Sequence, residues 1–338
     1  MPTNQLPPFF PKRMKSFFPL IALSVLLTSL SCKSPQNTEN AVAESADTTS
    51  VCFQPDSAFA LIVAQCDMGP RVPGSTAHAR CARWIASQFE ARGLVVETQQ
   101  SRQTMWDGKQ FDCLNIFARF KPEAERRILL CSHWDSRPWA DQDADSTKHR
   151  QPVLAANDGA SGVAVMLEIA RLIGELNPAV GVDFLCFDLE DYGAPYWGNG
   201  TKDESDWCVG SRYWARQKEA DYKPAYAILL DMVGGNGTQF LYEYFSRTYA
   251  QSVLARTWAA ASTAGVGAYF PQKDGLMLTD DHLPLNRIAH IPTIDIIGTR
   301  TDGFCPTWHT TDDTPENISP ALLKAVGQTL LQLLYEEK

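Results

Sequence analysis

Three stretches between residues 127 and 191 decide the fold: RILLCSHWD (127–135), NDGASGVAVMLEIARLIGEL (157–176) and VDFLCFDLED (182–191). The first and third are short, nearly continuous apolar runs, which predicts strands over 127–132 and 182–189 buried on both faces. Between them, apolar residues recur with helical spacing over 163–176 and predict an amphipathic helix. A strand, a helix and a strand in that order form a crossover unit, the connection that parallel strands require. Each strand then ends in polar residues: His133, Trp134 and Asp135 after the first, Asp188, Glu190 and Asp191 after the second.

Outward from this unit the same alternation continues. Apolar spacing predicts helices over 57–67 and 77–92, the second closed by Gly93, and a last helix over 321–335. Strand-like runs cover 94–99, 113–120, 225–232 and 293–297. Strands that alternate with helices imply a mostly parallel mixed central sheet covered on both faces, a three-layer α/β/α sandwich. Residues 51–338 carry no repeat and no internal linker, so they form one domain. Residues 33–50 are rich in Ser, Thr, Asn, Ala and Glu without an apolar period, and read as a solvated linker.

Residues 1–32 read as an export signal. Lys12, Arg13 and Lys15 precede an apolar run from Phe17 to Leu30, which is too short to span about 30 Å of hydrocarbon. Met14, directly before Lys15, is an alternative start. Ser31-Cys32 closes the run and resembles the lipobox of bacterial lipoproteins, although Ser29 stands where that motif has Leu. The resemblance implies a lipidated Cys32 and an exported protein held at the periplasmic or cell-surface side of a membrane. A net charge of −9 is spread along the chain with no basic stripe, so nucleic acid is not expected as a partner. Of the 9 cysteines none forms a CxxC pair, which argues against thiolate zinc sites. Cys131 and Cys186 lie inside apolar strands and read as buried small hydrophobes.

In open α/β sheets, ligands gather beyond the carboxyl ends of the strands. Asp231 follows the apolar run at 228–230, Asp158 sits in ANDGASG (156–162) before a helix, and His309 follows Trp308 in a late loop. One acid at one strand end ordinarily caps a turn. Several such ends that together supply His and carboxylates point to a shared site. Two carboxylates and an imidazole suit a zinc ion that keeps an open position, with Asp158, Asp191 and His309 as the ligands. Glu190, next to a ligand but not one itself, is placed to act as general base. His133 and Asp231 could supply a second metal with Asp158 as the bridge, so the residues alone leave one and two zincs open.

The ordered set His133-Trp134-Asp135, Asn157-Asp158-Gly159, Glu190-Asp191, Asp231, Asp281-His282 and His309 resembles the zinc aminopeptidase superfamily, in which two zincs share a bridging aspartate. The chain is more closely similar to glutaminyl cyclases of animal type and their bacterial relatives. That similarity is carried by GPRVPGS (69–75), CSHWDS (131–136), GSR (210–212), LDM (230–232), TDDHLP (279–284) and WHTTDD (308–313), and spans Val51 to the C-terminus. It implies a zinc aminopeptidase-like fold and a single zinc on Asp158, Asp191 and His309. It further implies Glu190 as proton shuttle, and Asp231 and Asp280 in a hydrogen-bonded acid cluster. Phe304, Trp308 and Trp197 match aromatic substrate-binding positions, with Trp207 competing for the place of Trp197. The implied reaction closes an N-terminal Gln of a peptide or protein into pyroglutamate with release of ammonia, by a monomer. The alternative is a two-zinc aminopeptidase. Two departures stand out: Asp191 replaces a Glu ligand, and the cysteine that pairs with the Cys131 position in animal enzymes has no counterpart near Val163.

Overall fold

The structure, a computed structural model, describes residues 47–201 and 204–337. The expected signal with Cys32, and the linker as far as residue 46, lie outside the described residues. Among the described residues no helix is long and apolar enough to cross a membrane.

Among the described residues eight strands make one mixed sheet: β1 Val95–Thr104, β2 Gln110–Phe120, β3 Arg127–His133, β4 Gly181–Phe187, β5 Tyr226–Asp231, β6 Gln239–Phe240, β7 Thr293–Arg300 and β8 Gly303–Phe304. Their order is β1-β2-β4-β3-β5-β7-β6, with β8 paired to β7. The pairings β4 with β3, β3 with β5 and β5 with β7 are parallel, whereas those at the two edges are antiparallel. The helices are α1 Pro55–Cys66, α2 Thr76–Glu90, α3 Ala160–Leu176, α4 Val209–Gln217, α5 Tyr244–Thr263, α6 His282–Arg287 and α7 Pro320–Glu336.

Strand residues divide between two cores with a period of two, as the pleat demands. Ile128, Leu130, Phe184, Cys186, Ile228 and Leu230 join α1, α2, α3, α5 and α7 in the larger core. Leu129, Cys131, Leu185, Phe187, Ala227 and Leu229 face the other way, onto α4 and α6 through Trp214 and Leu285. Both faces being covered, the central strands read as unbroken apolar runs, and Cys131 and Cys186 are buried free thiols as expected.

Several elements differ from their sequence-based expectations: α4, α6, β6 and β8 have no counterpart among them, and β1 and α5 differ for reasons the structure makes plain. β1 extends to Thr104 because β2 pairs with it residue for residue from Val95 to Thr104. Its distal half, polar and largely exposed, carries no apolar alternation to announce it. α5, 20 residues long, has no counterpart among the expected helices; Ala250 leaves helical geometry (φ −140°, ψ 41°), so the apolar stripe loses its phase midway.

Candidate metal centre and active site

Every expected site residue except Trp197 converges at the carboxyl end of the parallel strands. His133 ends β3, Asp231 ends β5, Glu190 and Asp191 follow β4, Asp158 precedes α3, Asp280 precedes α6, and His309 lies beyond β8. The loops that carry them are fastened from below. Arg71, fully buried, donates to the carbonyls of Trp134, Leu154 and Ala155 at 3.1, 2.7 and 2.7 Å. Gly159, at φ +103°, follows Asp158 where an added Cβ would sit 2.8 Å from Asp135 O and 3.0 Å from the His133 ring, so the tight approach of these two loops needs glycine. Five non-glycine residues around the site, Ala155, Leu189, Cys208, Met232 and His309, also have positive φ. Such backbone costs free energy and persists where surrounding structure holds it, commonly at functional sites.

His309 Nε2 lies 3.2 Å from Asp191 Oδ1 and 3.5 Å from Asp158 Oδ2, and the donor atoms of the three fall within 4.8 Å of one another. Asp191 Oδ2 is buried without a hydrogen-bond partner. An orphaned carboxylate oxygen beside a second acid and an imidazole is a donor set that a zinc ion satisfies, so the residues fit the metal. The shorter arm of Asp191 still reaches this point. Arg137 supports it, donating to Asp191 O at 3.1 Å while its guanidinium forks onto Asp141 at 2.6 and 2.7 Å. Asp141 in turn stands 3.5 Å from His309 Nδ1, which orients the imidazole.

A second group shares Asp158. His133 Nε2 lies 3.0 Å from Asp158 Oδ1 and 3.3 Å from Asp231 Oδ1, and His133 Nδ1 is 3.4 Å from Asp135 Oδ1. Burial resists the charging of Asp158, but His133 and His309 beside it hold its carboxyl below the usual range. Burial dominates elsewhere: it lifts Glu190 well above the ordinary value, raises Asp191, and pushes Asp231 up to about 6 and Asp280 up to about 7. Glu190, Cys208 and Asp280 form a third cluster. Among the described residues no hydrogen bond joins Asp231 to Asp280. Asp231 Oδ1 faces His133, and Asp280 Oδ1 accepts the Asp281 N–H at 2.5 Å.

The carboxylates of Asp158, Glu190, Asp191, Asp231 and Asp280, with His309, line a cavity of about 220 Å³. One wall is acidic, with Asp158, Glu190, Asp191, Asp231 and Asp280; the other is aromatic, with Trp207, Phe304 and Trp308. Phe304 and Trp308 stack at 4.1 Å, Trp308 and His309 at 3.9 Å, and Trp207 lies parallel to His309 at 6.1 Å. Trp197 is not in this wall. It stacks on His149 at 6.1 Å under the Arg150 guanidinium, whereas Trp207 lines the cavity. Other residues hold the site without a role that spacing reveals. Asp135 accepts the Glu190 and Asp191 N–H groups at 3.1 and 3.2 Å, and Asp313 accepts those of Asn157 and Asp158 at 2.7 and 3.0 Å. Both acids fall inside the quoted motifs, the one signal that could have marked them.

The model of Peptidase family M28 matches residues 115–334. A crystal structure of Bacteroides thetaiotaomicron glutaminyl cyclase bound to N-acetylhistamine is 45% identical, with a TM-score of 0.84 over 85% of this chain and 99% of that one. A structure from the same organism described as a leucine aminopeptidase precursor is also 45% identical, with a TM-score of 0.84 over 86% and 100%. The glutaminyl-peptide cyclotransferase of Bos taurus is 24% identical over 297 residues, 79% of this chain and 77% of its own length.

Proposed function

This chain belongs to peptidase family M28, and we propose that it is a glutaminyl-peptide cyclotransferase that converts the N-terminal Gln of peptides and proteins to pyroglutamate and ammonia. The observation that carries this reading is the match to the Bacteroides glutaminyl cyclase over 99% of that chain and 85% of this one. The cavity agrees with it: its volume suits one side chain, and its stacked rings suit a flat carboxamide.

Asp158, Asp191 and His309 hold one zinc in this reading. A zinc held there would supply Lewis acidity toward the side-chain carbonyl of the substrate Gln. Phe304, Trp308 and Trp207 hold that side chain in place. Glu190, kept basic by burial, takes a proton from the substrate α-amino group as that nitrogen bonds to the side-chain carbonyl carbon. It then delivers the proton to the amide nitrogen as the old C–N bond breaks, so ammonia leaves. Nucleophile and electrophile belong to one residue, which gives ring closure a large proximity advantage. Asp231 and Asp280, both raised toward neutrality, act in this reading as a reserve that keeps a proton beside Glu190.

A two-zinc aminopeptidase is the second reading, favoured by the group His133, Asp158 and Asp231. Incubating the purified protein with a Gln-starting peptide separates the two. A product lighter by one ammonia, with about one zinc per chain, supports the cyclase; a released amino acid with two zincs overturns it. Export and a lipid at Cys32 complete the proposal, with a monomer acting at a membrane surface. Cys32→Ser should move the protein to the soluble fraction, and unchanged membrane association would sink the anchor.

A further inference from the structure

From the clip that joins the loop after β4 to the start of α4, we infer that Cys208 is a positioning residue for the base, its thiol holding the Glu190 carboxyl in the orientation that proton transfer requires. Cys208 Sγ donates to Glu190 Oε1 at 3.2 Å, and among the described residues this is the one hydrogen bond made to that carboxyl. The backbone reinforces it. Cys208 N donates to Glu190 O at 3.1 Å and Val209 N to Leu189 O at 3.0 Å, so two consecutive peptides of one segment are stitched to two of the other. Gly210 lets the segments meet this closely, since a Cβ there would sit 2.0 Å from Asp188 O.

Both sides of the clip are held in costly backbone. Leu189 has φ 54° and Cys208 φ 57°, the left-handed region that side chains disfavour. Cys208 is also the residue that precedes the first turn of α4, where a side chain ordinarily caps the helix. It makes no such bond, and its thiol turns to Glu190 instead. The thiol is fully buried and lies outside the residues that line the cavity, so it meets the carboxyl from behind. Burial and the neighbouring carboxylate keep it protonated, and therefore a donor. A carboxyl in a cavity wall can rotate. One fixed oxygen leaves the other to face the substrate nitrogen, an orientation on which proton transfer depends steeply.

This inference rests on the proposed role of Glu190 as base. Cys208→Ala removes the donor and Cys208→Ser replaces it with a hydroxyl, while both retain a small side chain in the same backbone. With a Gln-starting peptide, C208A should lower kcat about 10-fold with KM, zinc content and Tm close to wild type. C208S should restore kcat to within about 3-fold of wild type, since a hydroxyl makes the same bond. Wild-type kcat in C208A overturns the inference, as does an equal loss in both variants with a raised KM or lost zinc, which would mark Cys208 as structural. If the wild type releases an amino acid instead of ammonia, the cyclase reading falls, and the same kcat ratio, measured on that turnover, still judges Cys208.

Discussion

The two ends of the parallel strands hold buried acids of opposite character. At the amino end Asp183, fully buried, is forked by Arg127, whose Nε lies 2.8 Å away, and accepts the Tyr222 hydroxyl at 2.7 Å. There too Glu337 is bound by Arg126, Arg256 and the Tyr226 hydroxyl at 2.6, 2.8 and 2.7 Å. At the carboxyl end, oxygens of Asp191, Asp280 and Asp281, and beneath them those of Asp295 within β7, are buried with no hydrogen-bond partner, and the Arg137 fork is spent chiefly on Asp141. Burying an uncompensated carboxylate is expensive, so a protein that assembles several of them needs a cation or protons to complete the site. Acids at one end hold the sheet together; acids at the other hold something the chain does not itself supply.

That contrast can be broken experimentally. The largest effect is expected at the carboxyl end: Glu190→Gln should lower turnover about 1,000-fold while zinc stays bound, measured by ammonia release and metal analysis. Loss of zinc in that variant would erase the division between ligands and base. Next, stripping zinc by chelation should abolish activity and lower stability by about 4 kcal/mol at zinc concentrations about 1,000 times Kd, read from denaturant melts with and without metal. An unchanged melt would mean the acids need no cation.

Arg127→Met probes the opposite end. Leaving Asp183 buried without its fork should cost about 3 kcal/mol, with kcat per folded molecule unaltered. Asp295→Asn should do the reverse, leaving the zinc-free protein as stable or raising it by about 1 kcal/mol, because burial and the nearby acids Asp280, Asp231 and Glu243 already disfavour a charge there and an amide of similar shape carries none. If both substitutions destabilise alike, the two ends are not different in kind. The smallest effect is a pH dependence. Burial works against the Glu337 charge, but Arg126, Tyr226 and Arg256 hold its carboxyl below the usual range. Its contribution is therefore present above an unfolded value of about 4.3 and is lost as pH falls through the lower folded value. Glu337→Gln should flatten that acid-side decline in Tm.

Much of this was legible without coordinates. Strands such as 127–132 and 182–189 announce themselves because burial on both faces leaves a nearly continuous apolar run, and the residue that ends it is then free to be His133, or to lead into Glu190 and Asp191. Other features leave no local trace. The distal half of β1 is polar because it is an exposed edge strand, and α5 hides because Ala250 shifts its stripe. The contest between Trp197 and Trp207 is undecidable from spacing, since only the path of the loop after Asp191 places one indole over His309 and sends the other to His149. Cys208 looks like any buried cysteine until its Sγ is found 3.2 Å from Glu190.

By itself, then, the chain's sequence determined the sheet's central strands and brought forward Asp158, Asp191 and His309 as candidate ligands, with Glu190 next to one of them. These follow from periodicity and from residues adjacent along the backbone. The tertiary structure alone decided which acids are compensated by arginines, which tryptophan walls the cavity, and which thiol meets the Glu190 carboxyl. Each of those depends on distances between residues far apart in the chain, which are set by loop paths and packing that no local pattern encodes.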